Sequence, residues 1–529
     1  MQRRTLSVSA TASPGPGGPA SEPYASATRG GGFVHAEATA DGLSIAMAAG
    51  SLTSERLVRD YLARIRALDK RGPKINSIIE LNPEALAIAR ALDAERKAGR
   101  VRGPLHGIPV LLKDNIATGD RMSTSAGSLA LDGVRALRDA HLVKRLREAG
   151  AVVLGKTNLC EWANIRSAHS TSGWSGRGGL TRNPYALDRS TSGSSAGTGA
   201  AIAADLATLG VGTETDGSIV SPASVNGLVG LKPTVGRISR DGIIPISHTQ
   251  DTAGPMTRTV ADAAALYAVL SGADAADAVT ASAPADAIGA ARLAPGALKG
   301  ARLGVACAYF TGKDAADALI EQAIAVLKAQ GAEIVDPVDL AQPSYGDADM
   351  IILLHELKHG LGVWLKTFAP GAAVQSLADV IAFNRRETGR ELGWFPQELF
   401  EQAEALGGLD SPVYCEALAL CAKASREDGI DRVLKAHRLD ALIAPTRGPS
   451  RLIDPIAGDY FGVSFSTPAA VAGYPHLTVP AGLVHGLPIG LSFVGPAWSE
   501  WQLLSMGLAY EQASRSRRPP RFLPRSVPL

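Results

Sequence analysis

The chain has 529 residues, which is enough for two or three domains or for one unusually large α/β domain. Its 53 basic and 51 acidic residues give a formal net charge of +2, so composition gives no reason to expect nucleic acid or an anionic membrane as a partner. The four cysteines have no C-x-x-C spacing and are too few for a disulfide framework, and no apolar run is long enough to predict a membrane-spanning helix.

The N-terminal segment differs in composition from the rest of the chain. Residues 7–32 are almost all Ser, Ala, Thr, Gly and Pro, which predicts a flexible low-complexity leader over residues 1–40. Arg3 and Arg4 resemble the start of a twin-arginine export signal, but the apolar stretch that must follow is missing. We therefore expect a cytoplasmic protein, with export as the alternative if the leader is a degenerate or truncated signal.

Helical and strand patterns alternate from Thr53 onward. A Thr/Ser cap begins a helix with apolar residues at three- and four-residue steps, and a second helix is predicted over 83–99. The apolar run 108–113 predicts a buried strand that ends, unusually, in Lys113. Further helices are predicted over 140–149 and 197–205, and further strands over 151–154 and 208–211. This alternation indicates an α/β architecture.

The second half of the chain begins with an Ala/Asp-rich stretch beyond about residue 275, which predicts a surface connection. A strand is expected over 301–305, followed by helices to about residue 437. Strand patterns return over 441–445, 476–479 and 488–494.

Two short motifs match known signatures but lack their structural context. Residues 150–157 fit the nucleotide-binding P-loop pattern, yet a helix precedes them and their variable residues themselves predict a strand. Residues 193–197 fit the nucleophile elbow of α/β-hydrolases, which would make Ser195 the nucleophile. No strand pattern precedes that segment, so the elbow is only an alternative.

A third short motif concerns metal binding. His355, Glu356 and His359 match the zinc-peptidase pattern, which on a helix puts two imidazoles on one face. A third ligand is required, and nothing in the spacing singles out either Glu387 or Glu391. A helix with two histidines near the surface is the better interpretation, and a zinc peptidase remains an alternative outside the main function class.

Two polar loops combine features that acyl-transfer chemistry needs. The small-residue loop 192–198 leads into the N-terminus of a helix, where backbone N–H groups favour negative charge. The loop 212–218 follows a short strand, and its consecutive amides can form an oxyanion hole. A serine hydroxyl still needs a neighbour that takes its proton.

Lys113 is the candidate for that base. Desolvation at the end of an apolar strand lowers the pKa of a lysine and favours the neutral amine, which accepts a proton. A lysine paired with Asp114 and two ordinary loop serines is the alternative. Residue chemistry alone does not decide between these interpretations, nor between Ser194 and Ser195.

Ordered motifs along the chain resemble the amidase signature family. The resemblance covers nearly everything after residue 45, and its segments are 107–115, 155–158, 192–198, 212–218, 227–233, 441–446, 472–480 and 486–495. It implies an α/β fold with a large mixed β-sheet surrounded by helices. A single amidase domain would then span 41–525, with 275–437 as a mostly helical insertion region.

The same resemblance implies a catalytic triad and the role of each member. Lys113 aligns with the lysine of the family, Ser194 with a serine on a cis peptide bond and Ser218 with the nucleophile. The backbone amides of Thr215, Asp216, Gly217 and Ser218 would form the oxyanion hole. No metal or cofactor is required.

Departures from the family pattern indicate the substrate. Asp216 replaces a common glycine, and its motif looks most like that of bacterial peptide amidases, which release ammonia from C-terminally amidated peptides. Many relatives carry an arginine two residues after the nucleophile, where this chain has Val220, which favours a neutral substrate. We expect a small-molecule or short peptide amide to bind near Ser195 and Trp174, and the protein to be a monomer or a simple homo-oligomer.

Three further functions remain as alternatives to peptide amide hydrolysis. The first is an aryl or aliphatic acylamidase of the same family. The second is the glutamine-hydrolysing component of a tRNA-dependent amidotransferase, which usually lacks such a leader and needs partner subunits. The third, outside the enzyme class, is a binding protein that uses the same groove without turnover.

Overall fold

The computed structural model describes residues 33–284, 292–460 and 462–526. Most of the predicted leader, including Arg3 and Arg4, lies outside these residues. The described residues from His35 onward pack as one compact unit. His35 contacts Asp60 at 3.1 Å and the Glu37 amide donates to Asp205 at 3.0 Å, so the packed structure begins about six residues before the predicted boundary at 41.

The described strands are numbered in chain order. They are β1 (Ile78–Leu81), β2 (Pro109–Lys113), β3 (Val152–Thr157), β4 (Trp174–Ser175), β5 (Gly179–Leu180), β6 (Leu209–Glu214), β7 (Val229–Lys232), β8 (Thr252–Thr257), β9 (Arg302–Val305), β10 (Glu333–Val335), β11 (Ala441–Pro445), β12 (His476–Val484) and β13 (Leu487–Val494). Eleven of them form one sheet in the order β1, β3, β2, β6, β8, β7, β12, β13, β11, β9, β10.

The described helices surround this sheet. They are α1 (Ala40–Ala48), α2 (Ser54–Leu68), α3 (Ala85–Lys97), α4 (His141–Glu148), α5 (Ala196–Ala203), α6 (Val220–Val225), α7 (Val260–Leu270), α8 (Asp314–Ala329), α9 (Gly346–Phe368), α10 (Leu377–Arg386), α11 (Thr388–Glu391), α12 (Glu398–Ala405), α13 (Pro412–Ala422), α14 (Asp431–His437), α15 (Ser466–Ala472) and α16 (Glu500–Ser514). In the described part of the chain, no helix combines the length and apolar character that crossing a membrane requires.

The predicted fold class is confirmed by the mixed eleven-stranded sheet. The local signals also hold: the Thr53 hydroxyl accepts the Arg56 amide and starts α2, and the helices predicted over 140–149 and 197–205 are α4 and α5. The sequence analysis did not predict α1, although Thr39 caps it through the Gly42 amide. Its short length and weak amphipathic pattern explain the omission.

Three adjacent parallel strands position the candidate catalytic residues. β2 pairs in parallel with β3 on one side and with β6 on the other. The carboxyl ends of these strands therefore meet at one edge of the sheet, which is where ligands bind in open α/β sheets. Lys113 ends β2 there, and the loop that contains Ser218 follows β6.

The described part of the region 275–437 is mostly helical and also contributes strands to the sheet. Its strands β9 and β10 pair in parallel, and β9 also pairs in parallel with β11. These short strands extend the central sheet at one end, and β9 corresponds to the strand predicted over 301–305. A strand of three residues such as β10 carries too little pattern to be recognised in sequence.

Candidate active site

Lys113 lies fully buried at the end of β2. Its Nζ donates to Ser194 Oγ at 2.7 Å, to Thr213 Oγ1 at 2.9 Å and to the Thr213 carbonyl at 3.1 Å. Burial lowers the pKa of Lys113 to about 7, against the opposing influence of Cys160 and two buried carboxyl groups. The side chain therefore exists partly as the neutral amine at neutral pH.

The hydrogen bonds continue from Lys113 to two serines. Ser194 Oγ donates to Ser218 Oγ at 3.0 Å, so the three side chains form one unbroken row. The Gly193–Ser194 peptide bond is cis, as the family resemblance implied. A side chain at position 193 would lie 2.1 Å from Cys160 Sγ, so only glycine fits there.

Ser195 lies outside this row. Its hydroxyl donates to the Thr213 carbonyl at 3.1 Å and accepts the Thr213 amide at 3.2 Å. The side chain is buried. Ser195 is not among the described residues that line the cavity beside Ser194 and Ser218. Ser195 therefore ties α5 to β6, and its predicted contact with substrate stays a prediction.

The loop that carries Ser218 is held by a buried carboxyl group. Glu214 Oε1 accepts the Gly217 amide at 2.9 Å, and its Oε2 accepts the amides of Ile219 and Val220 at 2.6 and 3.0 Å. Gly217 has a φ of 73°, which glycine adopts without strain. These bonds fix the turn between β6 and α6 and present Ser218 at its tip.

The engagement of the Gly217 amide corrects the predicted oxyanion hole. That N–H group already donates to Glu214 and is not free for a substrate oxygen. The amides of Thr215, Asp216 and Ser218 have no acceptor among the described residues. Three of the four predicted donors therefore remain.

The side chain of Asp216 is turned away from the row of hydroxyls. Its Oδ2 accepts the Thr467 hydroxyl at 2.6 Å, and burial raises the pKa of the carboxyl group. The neighbouring Thr215 hydroxyl donates to Asp251 at 2.6 Å. Both contacts hold these side chains away from the candidate catalytic serines, so the backbone of the loop 215–218 is left to line the cavity beside Ser218.

Ser194 and Ser218 line a cavity of about 500 Å³, which we call the catalytic cavity. Its wall also includes residues of the loop 163–172, the loop 215–218 and the segment 462–467. Val220 is fully buried in α6 and is not among the described residues that line this cavity. The arrangement brings two linked hydroxyls, a buried amine and backbone amides to one place, and acyl transfer requires groups of these kinds.

Comparison with known proteins identifies the family. The Amidase family model matches residues 56–504. The chain belongs to the amidase signature family. It is 39% identical over 506 residues to a "probable amidase" of Arabidopsis thaliana, and the match covers 93% of each chain. It is also 36% identical over 504 residues to a glutamyl-tRNA(Gln) amidotransferase subunit of Myxococcus xanthus, covering 92% of this chain and 98% of that one.

A solved structure extends the comparison. The native peptide amidase from Stenotrophomonas maltophilia is 53% identical, with a TM-score of 0.89, over 93% of this chain and 99% of that chain. The predicted resemblance to bacterial peptide amidases is confirmed by this similarity. The amidase described here is an amide-hydrolysing enzyme of the same fold.

Trp174 of the amidase does not line the catalytic cavity among the described residues. Its ring packs edge-on against Phe395 at 5.1 Å, and the Arg166 guanidinium lies 5.3 Å from it. Arg166 is itself buried between Glu161 and Glu391. Trp174 therefore packs against the loop that forms one wall of the cavity, and its predicted contact with substrate stays a prediction.

The zinc-peptidase motif of the amidase lies on α9. The prediction that both histidines are near the surface was wrong for His355, which is buried and bonds the Ile351 carbonyl through Nδ1 at 2.8 Å. Glu356 is also buried and accepts the Tyr414 hydroxyl at 2.7 Å. His359 is exposed, and in the described ranges no group of three metal-binding side chains occurs.

The P-loop match of the amidase is part of the sheet. Its last six residues are β3, as the sequence analysis expected of the variable residues. Lys156 Nζ donates inward to the carbonyls of Ile116 and Ser123 at 2.7 and 3.2 Å and to Thr124 Oγ1 at 3.2 Å. This lysine cross-links loops and is not directed at a ligand.

Several residues of the site were missed in the sequence. Thr213 contacts Lys113, Glu214 holds the loop that carries Ser218, and Asp251 holds Thr215. Glu214 lies inside the motif 212–218, which the sequence analysis recognised. What the sequence did not reveal is that its carboxyl group accepts hydrogen bonds from the amides of the same loop. Arg447 also lines the catalytic cavity. The one sequence feature that could have indicated this is its position, two residues after a predicted buried strand.

Proposed function

We propose that this amidase hydrolyses the C-terminal amide of short peptides, with Ser218 as the nucleophile. The observation that carries the proposal is the unbroken row of Lys113, Ser194 and Ser218, which ends at the wall of the catalytic cavity. A serine hydroxyl is a weak nucleophile until a neighbour takes its proton. Ser194 lies between the buried amine and the attacking oxygen and can pass that proton on.

Lys113 is the base in this proposal. Its lowered pKa leaves about half of the side chain neutral at pH 7, and a neutral amine can accept a proton. The hydroxyl partners can reverse their donation, so that Ser218 donates to Ser194 and Ser194 to the amine. As Ser218 Oγ attacks the amide carbon, its proton moves to Ser194 and the proton of Ser194 moves to Lys113.

The backbone amides of Thr215, Asp216 and Ser218 stabilise the negative oxygen that develops on the substrate. The proton held by Lys113 returns through Ser194 to the leaving nitrogen, the carbon–nitrogen bond breaks, and ammonia departs. Ser218 then carries the acyl group as an ester. Water then attacks this ester, and its proton passes through Ser194 to Lys113. The bond to Ser218 Oγ breaks, the proton returns through Ser194 to Ser218, and the peptide leaves as a carboxylate.

Two observations support a peptide amide as the substrate. The first is the similarity to a peptide amidase over almost the whole of both chains. The second is the buried Val220, which offers no cation to a carboxylate at the reacting end of a substrate. A primary amide has no charge at that end, so it suits this position.

Ammonia release from an N-acetylated dipeptide amide, with EDTA present, tests the proposal. The wild type should release ammonia, and Ser218→Ala should be slower by at least about 10³-fold, because no other hydroxyl occupies its place. His359→Ala is the matched control from the zinc-peptidase motif and should keep wild-type activity, since His359 is exposed on α9. Activity that survives in Ser218→Ala, or that disappears with EDTA or in His359→Ala, would contradict the proposal.

A second candidate function is glutamine hydrolysis, which the similarity to the amidotransferase protein of Myxococcus xanthus supports. L-Glutamine, an aryl anilide and the free-acid form of the same peptide separate the candidates. We expect kcat/KM for the peptide amide to exceed that of each by at least about tenfold, a difference of about 1.4 kcal/mol in transition-state binding. A preference for glutamine or for the anilide would replace the peptide amide as the assigned substrate.

A further inference from the structure

Arg447 lies between the catalytic cavity and a second cavity of about 660 Å³. Both cavities are lined by Arg447, Arg451, Gly462 and Val463, so the two spaces adjoin along this short segment. Arg447 follows β11, and its Nη1 donates to Ser192 Oγ, two residues before Ser194. The guanidinium therefore lies beside the segment that carries a proposed catalytic serine.

The second cavity is strongly basic. Its described lining contains Arg189, Lys313, Arg447 and Arg451 and no aspartate or glutamate. Arg451 is paired outside the lining with Asp459 at 2.6 Å, and Arg189 lies 3.5 Å from Asp188. Among the described residues, Arg447 makes no ion pair with a carboxylate.

The Arg447 side chain is partly exposed, but its Nε atom is buried. Its Nε has no acceptor among the described residues, and burial, together with the charge of Arg451, lowers its pKa to about 10. The group is still charged at neutral pH. A charged group with a buried donor that lacks an acceptor is normally compensated by a partner, and a guanidinium binds a carboxylate through two parallel hydrogen bonds. The adjoining cavities leave room for that partner to come from a ligand.

We propose that Arg447 binds a carboxylate in the acyl part of the substrate and is a specificity-determining residue of this amidase. This inference rests on the proposed function, because it places an acidic side chain of the peptide upstream of the reacting amide. The reacting carbonyl lies at Ser218, the peptide extends along the catalytic cavity, and its acidic side chain meets Arg447 where the second cavity begins. The Ser192 hydroxyl holds the guanidinium in position for that contact.

Matched pairs of peptide amides test the inference. In a series of N-acetylated tripeptide amides, one glutamate is moved through the positions before the C-terminal residue, and each peptide has a twin with glutamine in the same place. Ammonia release gives kcat/KM for both twins. For at least one position the wild type should prefer glutamate over glutamine by about tenfold or more, the size expected of a hydrogen-bonded pair with a charged partner.

Three variants assign that preference to Arg447. Arg447→Gln should reduce the glutamate-to-glutamine ratio to about one, and Arg447→Lys should keep part of it because the charge remains. Arg432→Gln removes the same charge from an exposed position on α14 and should keep the wild-type ratio. The ratio compares two substrates on one enzyme, so a general loss of active protein does not alter it.

A wild-type ratio near one at every position would overturn the inference, even if Arg447→Gln cannot be obtained in folded form. An unchanged ratio in Arg447→Gln would also overturn it. Wild-type protein that releases no ammonia from any of these peptides would instead overturn the proposed function. The two failures are therefore distinguishable in one experiment.

Discussion

Two buried lysines at the ends of adjacent parallel strands differ in what they can do. Lys113 ends β2 and bonds two hydroxyls and one carbonyl, whereas Lys156 in β3 bonds two carbonyls and one hydroxyl. Burial lowers the pKa of both. A carbonyl only accepts, so Lys156 must remain a donor to keep its partners satisfied. Hydroxyls accept or donate, so Lys113 can exchange a proton with Ser194.

The acceptors around the two lysines also differ in their other partners. Without Lys113, the Thr213 carbonyl keeps the Ser195 hydroxyl, and Thr213 Oγ1 keeps the Asn115 amide at 3.0 Å. For Lys156, the carbonyls of Ile116 and Ser123 have no second donor among the described residues. Lys113 is therefore replaceable for folding, and Lys156 is not.

Activity should separate the two lysines most strongly. Lys113→Met removes the proposed base and should lower kcat/KM by roughly 10²–10⁴-fold, the usual range for loss of general-base catalysis. The measurement is ammonia release from a peptide amide, with circular dichroism to show that the fold is retained. Activity within a few-fold of the wild type would remove Lys113 from the mechanism.

The free energy of unfolding should depend more on Lys156 than on Lys113, the reverse of their order in activity. Lys156→Met leaves three buried acceptors without a donor, so we expect a loss of roughly 3 kcal/mol or more in the free energy of unfolding. Urea denaturation measures this loss. Lys156→Met protein as stable as the wild type would mean that the contacts of this lysine do not hold the loops at the end of β2.

The pH dependence of activity should report the pKa of Lys113. Only the neutral amine accepts a proton, so kcat/KM should be constant above about pH 8 and fall about tenfold per pH unit below pH 7. The log of kcat/KM against pH measures this limb in the free enzyme. A flat profile between pH 5 and pH 7, at roughly constant stability, would contradict a base with this pKa.

The pH dependence of stability should report the same pKa. The pKa of folded Lys113 lies below its unfolded value, so the folded state binds fewer protons between about pH 7 and pH 10. The wild type should therefore gain stability as pH rises through this window, and Lys113→Met should lose that gain. Thermal unfolding of both proteins at pH 7 and pH 9.5 measures the difference, and identical slopes would contradict the shifted pKa.

Much of the fold could be predicted from the sequence because its strands are apolar runs bounded by turn-forming residues, as in 108–113 and 441–445. It also placed Lys113, Ser194 and Ser218, but only through long ordered motifs, since residue chemistry did not decide between Ser194 and Ser195. What could not be predicted depends on contacts between distant segments. The Gly217 amide is used by Glu214, and Arg447 meets Ser192 across 255 residues.

In the proposed mechanism, Ser218 becomes acylated under the action of Lys113 and Ser194. Trapping tests it most directly: the protein is incubated with an activated acyl ester, quenched in acid and mapped by peptide mass spectrometry. We predict one acyl group on Ser218 in the wild type and very little in Lys113→Met over the same time. An acyl group on Ser194 or Ser195, or equal labelling of Ser218 in Lys113→Met, would contradict the account.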